Sequence, residues 1–438
     1  MAPPGRKRTR TRRVAIACQG GGSHTAFTAG VLKRVFSADE FGRYEVVGLS
    51  GTSGGAVCAL LAWYGLIDDD PIRAGELLRQ FWIDNSARGP AEMLVNSWIL
   101  WAGTLQNYGL LPAVSPYHTP VSVAGAEQFR QLLRRHVDFD RIEVDRRAQL
   151  PALLLGAVDV LSGRFRAFDS RHDRITADTV LASAAIPNLF RAVPLDGALY
   201  WDGLFSQNPP VRELLDLDPD ELWVIQINPQ QRATEPTTVL EIADRRNELA
   251  GNLSLYQELA FIEKIDRLLE SGQLNPGGKY KQVAVRVIEL SRSSLPRHLG
   301  AESKLNRDPL FIRNLMAHGE DKAEEFLSAL AFERAWVSQD VAAVMDLFAE
   351  DAELVSAAPF PEGGSHLGSH AVRRFVEKYF ATGVRVDSTR KQVARDRVAW
   401  TVRVHDPGQG TSLTGQVDAG FRAGKVTDLR LGALPTAG

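Results

Sequence analysis

Two short apolar runs, each passing directly into glycines and then into a helical stretch, constrain this chain more than any other feature. "VAIAC" (Val14 to Cys18) leads into "QGGGSHTAFTAGVLKRVF", where Phe27, Val31 and Val35 recur every four positions, as on one face of a helix. "YEVVGLS" (Tyr44 to Ser50) leads into "GTSGGAVCALLAWYGL", a helix with almost no polar residue and therefore a buried one. Strand, helix, strand, helix predicts an α/β fold with a parallel sheet covered on both faces. "LPALLLGAVDV" (Leu150 to Val160), "ELWVIQIN" (Glu221 to Asn228) and "VAVRVIEL" (Val283 to Leu290) read as further strands, and "SGRFRAF" as a strand beside a turn. Thr237 to Glu270 reads as a long helix, broken or bent near Gly251, and Asp308 to about Leu330 as another.

Around Leu330 the pattern changes. "ERAWVSQDVAAVMDLFAEDAELV" predicts two helices and a strand, with Asp340 as an N-cap, and "GSHAVRRFVEKYF" (Gly368 to Phe380) a third helix. Four strand-like runs follow, as in an antiparallel meander, which together make a small α+β domain. A length of 438 residues fits two or three domains. The division read here is an arm over 1–12, a large domain over 13–328 and a small one over 329–438.

The net charge of −2 gives no overall field for nucleic acid or acidic lipid, so no nucleic-acid partner is expected. The exception is local: "RKRTRTRR" (Arg6 to Arg13) is basic. It reads as a solvated tail, or as an arm drawn to anionic phospholipid, where each basic residue contributes about 1 kcal/mol. The apolar run after it is about five residues, short of a signal-peptide core of roughly 7–15. No apolar run approaches the roughly 18 residues of a membrane span. Cys18 and Cys58 are too few for a disulfide framework or a zinc site, and fit a reducing, cytoplasmic setting.

The chemistry gathers at the two glycine turns. Gly51, Ser53 and Gly55 form G-x-S-x-G between a strand and a helix, where a sharp turn lifts a serine hydroxyl off the sheet end. A serine is a poor nucleophile until a base takes its proton. An α/β-hydrolase would place its nucleophile after more strands than this. None of the nine histidines stands in a distinctive setting, and His318, His366, His370 and His405 read as surface residues. The other base is an aspartate. "AVPLDGALYWDGLFSQNPPV" holds two D-G pairs, and "PLDGALYW" reads as a hairpin turning at Asp196, leaving Asp202-Gly203. The first turn, "QGGGS" (Gln19 to Ser23), exposes backbone N–H groups at a helix N-terminus and suits an anion, either a phosphate or a transient oxyanion. It matches neither the dinucleotide G-x-G-x-x-G, since Thr25 stands at the third glycine, nor the P-loop, which needs a lysine.

Taken in order, these blocks resemble the patatin-like phospholipases over about Arg12 to Leu330. They are the glycine loop Gly20, Gly21 and Gly22, the G-x-S-x-G of Gly51 to Gly55, and Asp202-Gly203 before "SQNPP"; "ASAAIPNLF" (Ala182 to Phe190) is similar to the family's stretch upstream of that aspartate. The resemblance implies a three-layer fold around a mostly parallel sheet and a Ser53–Asp202 dyad without histidine. It further implies oxyanion donors from Gly20, Gly21, Gly22 and Gly54, an acyl-serine intermediate, and glycerophospholipid or other acyl-ester substrates. No metal or cofactor is implied. The chain departs from the family at two places: Ser23, His24 and Thr25 follow the loop where a basic residue and then a glycine are usual, with His24 as the stand-in for the basic residue, and Leu204 follows D-G where glycine or alanine is usual. The tail domain resembles the nuclear-transport-factor-2-like superfamily in its SnoaL-like, polyketide-cyclase-like branch, on element order and "DVAAVMDLFAEDAELV". That implies an α+β cone with an apolar pocket, used as an enzyme, a ligand binder or a dimer surface; no convincing acid–base pair stands in it, so ligand binding or pairing into a homodimer is the expectation.

Three readings stand beside one another: a serine lipid acyl hydrolase, a lipid-binding or scaffolding protein on an inactive fold of this kind, and a Ser-His-Asp esterase. "NSWILWAGTLQNYGLLP" (Asn96 to Pro112), placed in a connection, is either an acyl-chain wall or lid, or core beneath a long loop. Peripheral contact with a membrane surface stays open.

Overall fold

The structure, a computed structural model, describes every residue except 1–10, 109, 113, 143–150, 233, 276–279, 291–298, 301, 361, 395–396, 407–410 and 434–438. Most of the basic arm thus lies outside the described residues, while its last members, Arg12 and Arg13, already belong to the first strand.

β1 (Arg12–Cys18) passes through a 3₁₀ turn, Gly22–Thr25, into α1 (Ala26–Phe36), and β2 (Tyr44–Gly51) passes directly into α2 (Gly54–Leu66). Three helices follow, α3 (Pro71–Asn85), α4 (Pro90–Asn107) and α5 (Pro120–His136). Next come β3 (Ala152–Asp159), β4 (Phe165–Asp169), α6 (Ala177–Ala184) and the hairpin of β5 (Val193–Leu195) and β6 (Ala198–Asp202). Asp196 and Gly197, both at positive φ, make the two-residue hairpin turn. After α7 (Arg212–Leu215) come β7 (Glu221–Gln226), α8 (Val239–Glu270), β8 (Ala284–Glu289) and α9 (Pro309–Val337). The tail comprises α10 (Val341–Asp346), β9 (Phe348–Ser356), β10 (Gly364–Leu367), α11 (Ser369–Ala381), β11 (Arg385–Ala394), β12 (Arg397–Asp406), β13 (Thr411–Arg422) and β14 (Lys425–Ala433).

The described strands join in one sheet, in the order β10-β9-β14-β13-β12-β11-β8-β7-β1-β2-β3-β6-β5, with β4 added beside β3. At its centre β8, β7, β1, β2 and β3 run parallel, so their C-terminal ends share one edge. Cys18 is level with Gly51, which brings the two glycine turns side by side. Gly51 is level with Leu155, and two residues further Ala157 pairs with Asp202 on the antiparallel β6. β4 takes the other edge of β3 over Leu154 to Val158, so β2 and β6 follow one another along the same edge, and register alone brings the ends of β2 and β6, with Ser53 and Asp202, together there. α2 is buried from Gly55 to Gly65, including Trp63, and each large apolar side chain so buried contributes about 1.5–3 kcal/mol.

Three expectations need correction. Thr237 to Glu270 carries no break: α8 runs unbroken through Gly251. That glycine answers a close approach, since a Cβ there would lie 2.9 Å from Asn228 Nδ2. Asn96 to Pro112 is not merely a connection, because its first half is the body of α4. Pro90 starts that helix, and the Glu92 carboxylate accepts the N–H groups of Arg88 and Gly89 at its head. "ERAWV" forms no helix of its own but is the last part of α9, whose start is capped by Asp308.

α9 runs without interruption across residues 328 and 329, and β11 pairs in parallel with β8, Val393 opposite Ile288. Buried charges cross the same joint. Glu333 on α9 accepts from Arg286 Nη2 of β8 at 3.2 Å and from Lys391 of β11, and Arg286 Nε reaches Glu221 of β7 at 3.3 Å. Burial pulls the Lys391 pKa down to about 8 even beside Glu333. Burial acts the same way on Arg286, but Glu333 and Glu221 outweigh it and hold its guanidinium charged.

Candidate active site

Ser53 sits at φ 57°, ψ −129°, in the bend between β2 and α2. A β-carbon residue at such a φ is strained, and the surrounding contacts hold it there. Its N–H donates to Ser183 O at 3.0 Å, at the end of α6. Two residues on, Ala185 O accepts the N–H of Asp202 at 3.0 Å. One helix end thereby positions both residues, and Ser183 is itself anchored through Oγ to Gly156 O at 2.6 Å.

Asp202 is fully buried. Its Oδ1 accepts the N–H of Leu204 at 2.8 Å, while Oδ2 has no hydrogen-bond partner among the described residues. Burial raises its pKa to about 6; the Leu204 N–H, the Ser53 hydroxyl and the Lys304 ammonium oppose that shift in decreasing order. The Ser53 hydroxyl is thus close enough to favour the carboxylate, without forming a hydrogen bond of ordinary geometry to Oδ2.

The glycine loop lies against Ser53. Gly20 N–H donates to Asn208 Oδ1 at 2.7 Å, and Asn208 Nδ2 donates to Gly251 O at 3.2 Å. Gln19 fastens the other side: its Oε1 accepts the N–H groups of Ile227 and Asn228, and its Nε2 donates to Asn252 Oδ1 at 2.8 Å. Gly20 therefore departs from its expected part, because its amide is already engaged. Among the described residues the N–H groups of Gly21, Gly22 and Gly54 have no acceptor, and Gly22 and Gly54 line the cavity beside Ser53. Gly22 has φ +56°, and a Cβ there would lie 2.2 Å from Lys304 O. Of the remaining motif glycines, Gly51 and Gly55 pack against each other in the bend and Gly203 packs on Gly156.

Ser53 opens into a cavity of about 160 Å³ walled by apolar side chains such as Phe81, Phe129, Leu181 and Phe190, with Lys304 and Arg307 on one rim. Such a space suits an extended apolar group better than a sugar or nucleotide. A wider, polar hollow of about 900 Å³ lies at the opposite end of the strands, beside Arg13, Glu45 and Asp218.

His24 is buried, with Nε2 2.7 Å from Ser303 Oγ and its ring tilted against Phe311, and it does not line the cavity. Lys304, one residue after Ser303, does, and its Nζ donates to Asn228 Oδ1 at 3.0 Å. Only a fold that returns residue 304 to the first glycine loop could reveal it. Asn208 was missed as well, although it follows Asp202 closely and Asn-Pro is a turn signal. His318 is buried against Phe27 rather than exposed, and among the described residues no histidine lines the cavity of Ser53.

Residues 16–215 match the model of the patatin-like phospholipase family, and residues 329–429 match that of the SnoaL-like domain. No curated protein matches the chain. Solved structures resemble about a quarter of the chain. An NTF2-like protein of unknown function from Mesorhizobium loti is 22% identical over 26% of this chain and 92% of that one, with a TM-score of 0.23. NTF2-like proteins from Cytophaga hutchinsonii (14% identity, 24% and 87% covered, TM-score 0.21) and Burkholderia xenovorans (19%, 25% and 87%, TM-score 0.22) are similar in the same way. The chain carries a patatin-like phospholipase domain followed by a SnoaL-like domain.

Proposed function

We propose that the patatin-like phospholipase domain hydrolyses acyl esters of lipids through a dyad of Ser53 and Asp202. The observation that carries this reading is the pairing of a strained, cavity-facing serine with a buried carboxylate whose Oδ2 has no other partner, both hung on the end of α6. Ser53 Oγ attacks the ester carbonyl as its proton passes to Asp202 Oδ2. The oxygen that becomes negative takes hydrogen bonds from Gly22 and Gly54, with Gly21 beside them, and faces the N-terminal end of α2. Collapse of the tetrahedral intermediate expels the alcohol, which takes the proton from Asp202. Water then attacks the acyl-serine as its proton passes to Asp202, and collapse of this second intermediate breaks the bond to Ser53 Oγ, which takes that proton back as the carboxylic acid leaves. An aspartate with a pKa near 6 is a better base than one near 3.8, and a hydrogen bond between nucleophile and base is often loose until substrate binds.

The test is turnover of p-nitrophenyl esters and phospholipids by wild type, Ser53→Ala and Asp202→Asn. Losses of roughly 10⁴-fold or more in both variants are expected. Activity that survives Ser53→Ala ends the proposal. Loss on substitution of a histidine with Asp202→Asn still active supports the triad instead. No turnover of any ester by wild type supports a lipid-binding protein.

A further inference from the structure

From Met93 to Ala126 the sequence contains no Asp, Glu, Lys or Arg, in a chain that is 24% charged. The same tract exposes large apolar side chains. Trp98 and Trp101 on α4 are 63% and 59% exposed, Leu94 74%, and Leu110, Tyr117 and Val121 are exposed too. A soluble surface normally intersperses charges among such groups. This tract also borders the cavity of Ser53 on two sides. On one, Asn96 Nδ2 donates to Asn306 Oδ1 at 3.0 Å and Asn96 Oδ1 accepts the N–H of Arg307 at 2.8 Å, next to the rim residues Lys304, Leu305 and Arg307. On the other, Ala192 N–H donates to Tyr117 Oη at 3.1 Å, just past Phe190 in the opposite wall, and α5 itself supplies Phe129.

We propose that this tract is the surface by which the protein docks on a phospholipid bilayer, holding the mouth of the Ser53 cavity against the acyl esters. It rests on the lipid acyl hydrolase reading. The absence of charge selects the occupant: tryptophan, tyrosine and leucine without charged neighbours match the boundary between headgroups and acyl chains, where aromatic side chains concentrate. A protein partner would leave a rim of charge-paired and hydrogen-bonding residues, which the tract does not offer. An uncharged face needs no anionic lipid, so binding should occur on zwitterionic bilayers and change little with salt.

The experiment uses the full chain as Ser53→Ala, so that binding is read without turnover, and floats it with vesicles of dioleoylphosphatidylcholine. Partitioning is expected at low and high salt alike, with tryptophan emission quenched by brominated phosphatidylcholine. Trp98→Ser with Trp101→Ser should cut the partition coefficient by about tenfold or more and remove most of the quenching. In the Ser53 background the same pair should lower turnover of vesicle-borne lipid while leaving that of soluble p-nitrophenyl butyrate unchanged. Three results overturn the docking surface: no partitioning of the Ser53→Ala chain, partitioning indifferent to the tryptophan pair, or self-association abolished by that pair, which makes the tract a contact between copies. None depends on catalysis, so failure of the hydrolase reading would appear separately, as absent turnover with binding intact.

Discussion

The Gly20 amide is held by Asn208 Oδ1 at 2.7 Å, which ties the first glycine loop to the chain just beyond Asp202. Residues 188 positions apart thereby share one local geometry. Asn208→Ala should leave a buried N–H without an acceptor and cost about 1–3 kcal/mol in urea unfolding. It should also let the donor loop shift, lowering kcat on a soluble ester by about 10- to 100-fold with KM little changed.

The buried Asp202 predicts a pH limb. Burial lifts its pKa to about 6, and the base form is the carboxylate, so kcat/KM should rise with pH through about 6 and level off above it. The Lys304 ammonium favours that carboxylate, so Lys304→Met should move the limb upward. A limb unmoved by Lys304→Met would mean that the two groups do not interact.

The same shift has a stability consequence. The folded pKa lies above the unfolded one, so the native state binds more protons between about pH 4 and 6, and stability falls as pH rises through that window. Asp202→Asn removes a buried charge at pH 7. The variant should melt later than wild type there, by an amount on the order of 1–3 kcal/mol, and show no such gain near pH 3.

Gly22→Ala combines a positive φ with a Cβ 2.2 Å from Lys304 O. A loss of about 2–4 kcal/mol in stability is expected. Moving this amide should cost turnover roughly 10²–10³-fold, measured on folded protein at low temperature.

Glu333 stands between Arg286 and Lys391 where α9 joins the two sheet halves. Glu333→Gln leaves two buried cations facing each other and should destabilise by about 3–5 kcal/mol, whereas Arg286→Met with Glu333→Leu and Lys391→Met should be much milder. Comparing their unfolding in urea separates the worth of the pairs from the penalty of breaking them.

The elements were largely legible in the sequence because their causes are short-range. Apolar runs followed by glycines made β1 and β2, Asp308 and Asp340 marked helix starts, and the period of Phe27, Val31 and Val35 marked α1. β10 was not legible, since "GSHL" carries no alternation and exists as a strand only against β9. Within the candidate site, Ser53 and Asp202 could be named from local motifs, but Lys304 and Asn208 could not.

By itself the sequence determined which stretches become strands and helices, where the backbone turns sharply, and which hydroxyl and carboxylates were available. Those outcomes depend on residues a few positions apart. Only the tertiary structure decided that Asp202 meets Ser53 along one edge of β3 while Asp196 caps a hairpin, and that Gly20 donates to Asn208 while Gly22 and Gly54 stay unengaged. It also decided that the tryptophans of α4 face outward and that the tail continues the central sheet. Each of these follows from strand register and helix packing between distant segments, whose energies arise only once the chain has closed on itself.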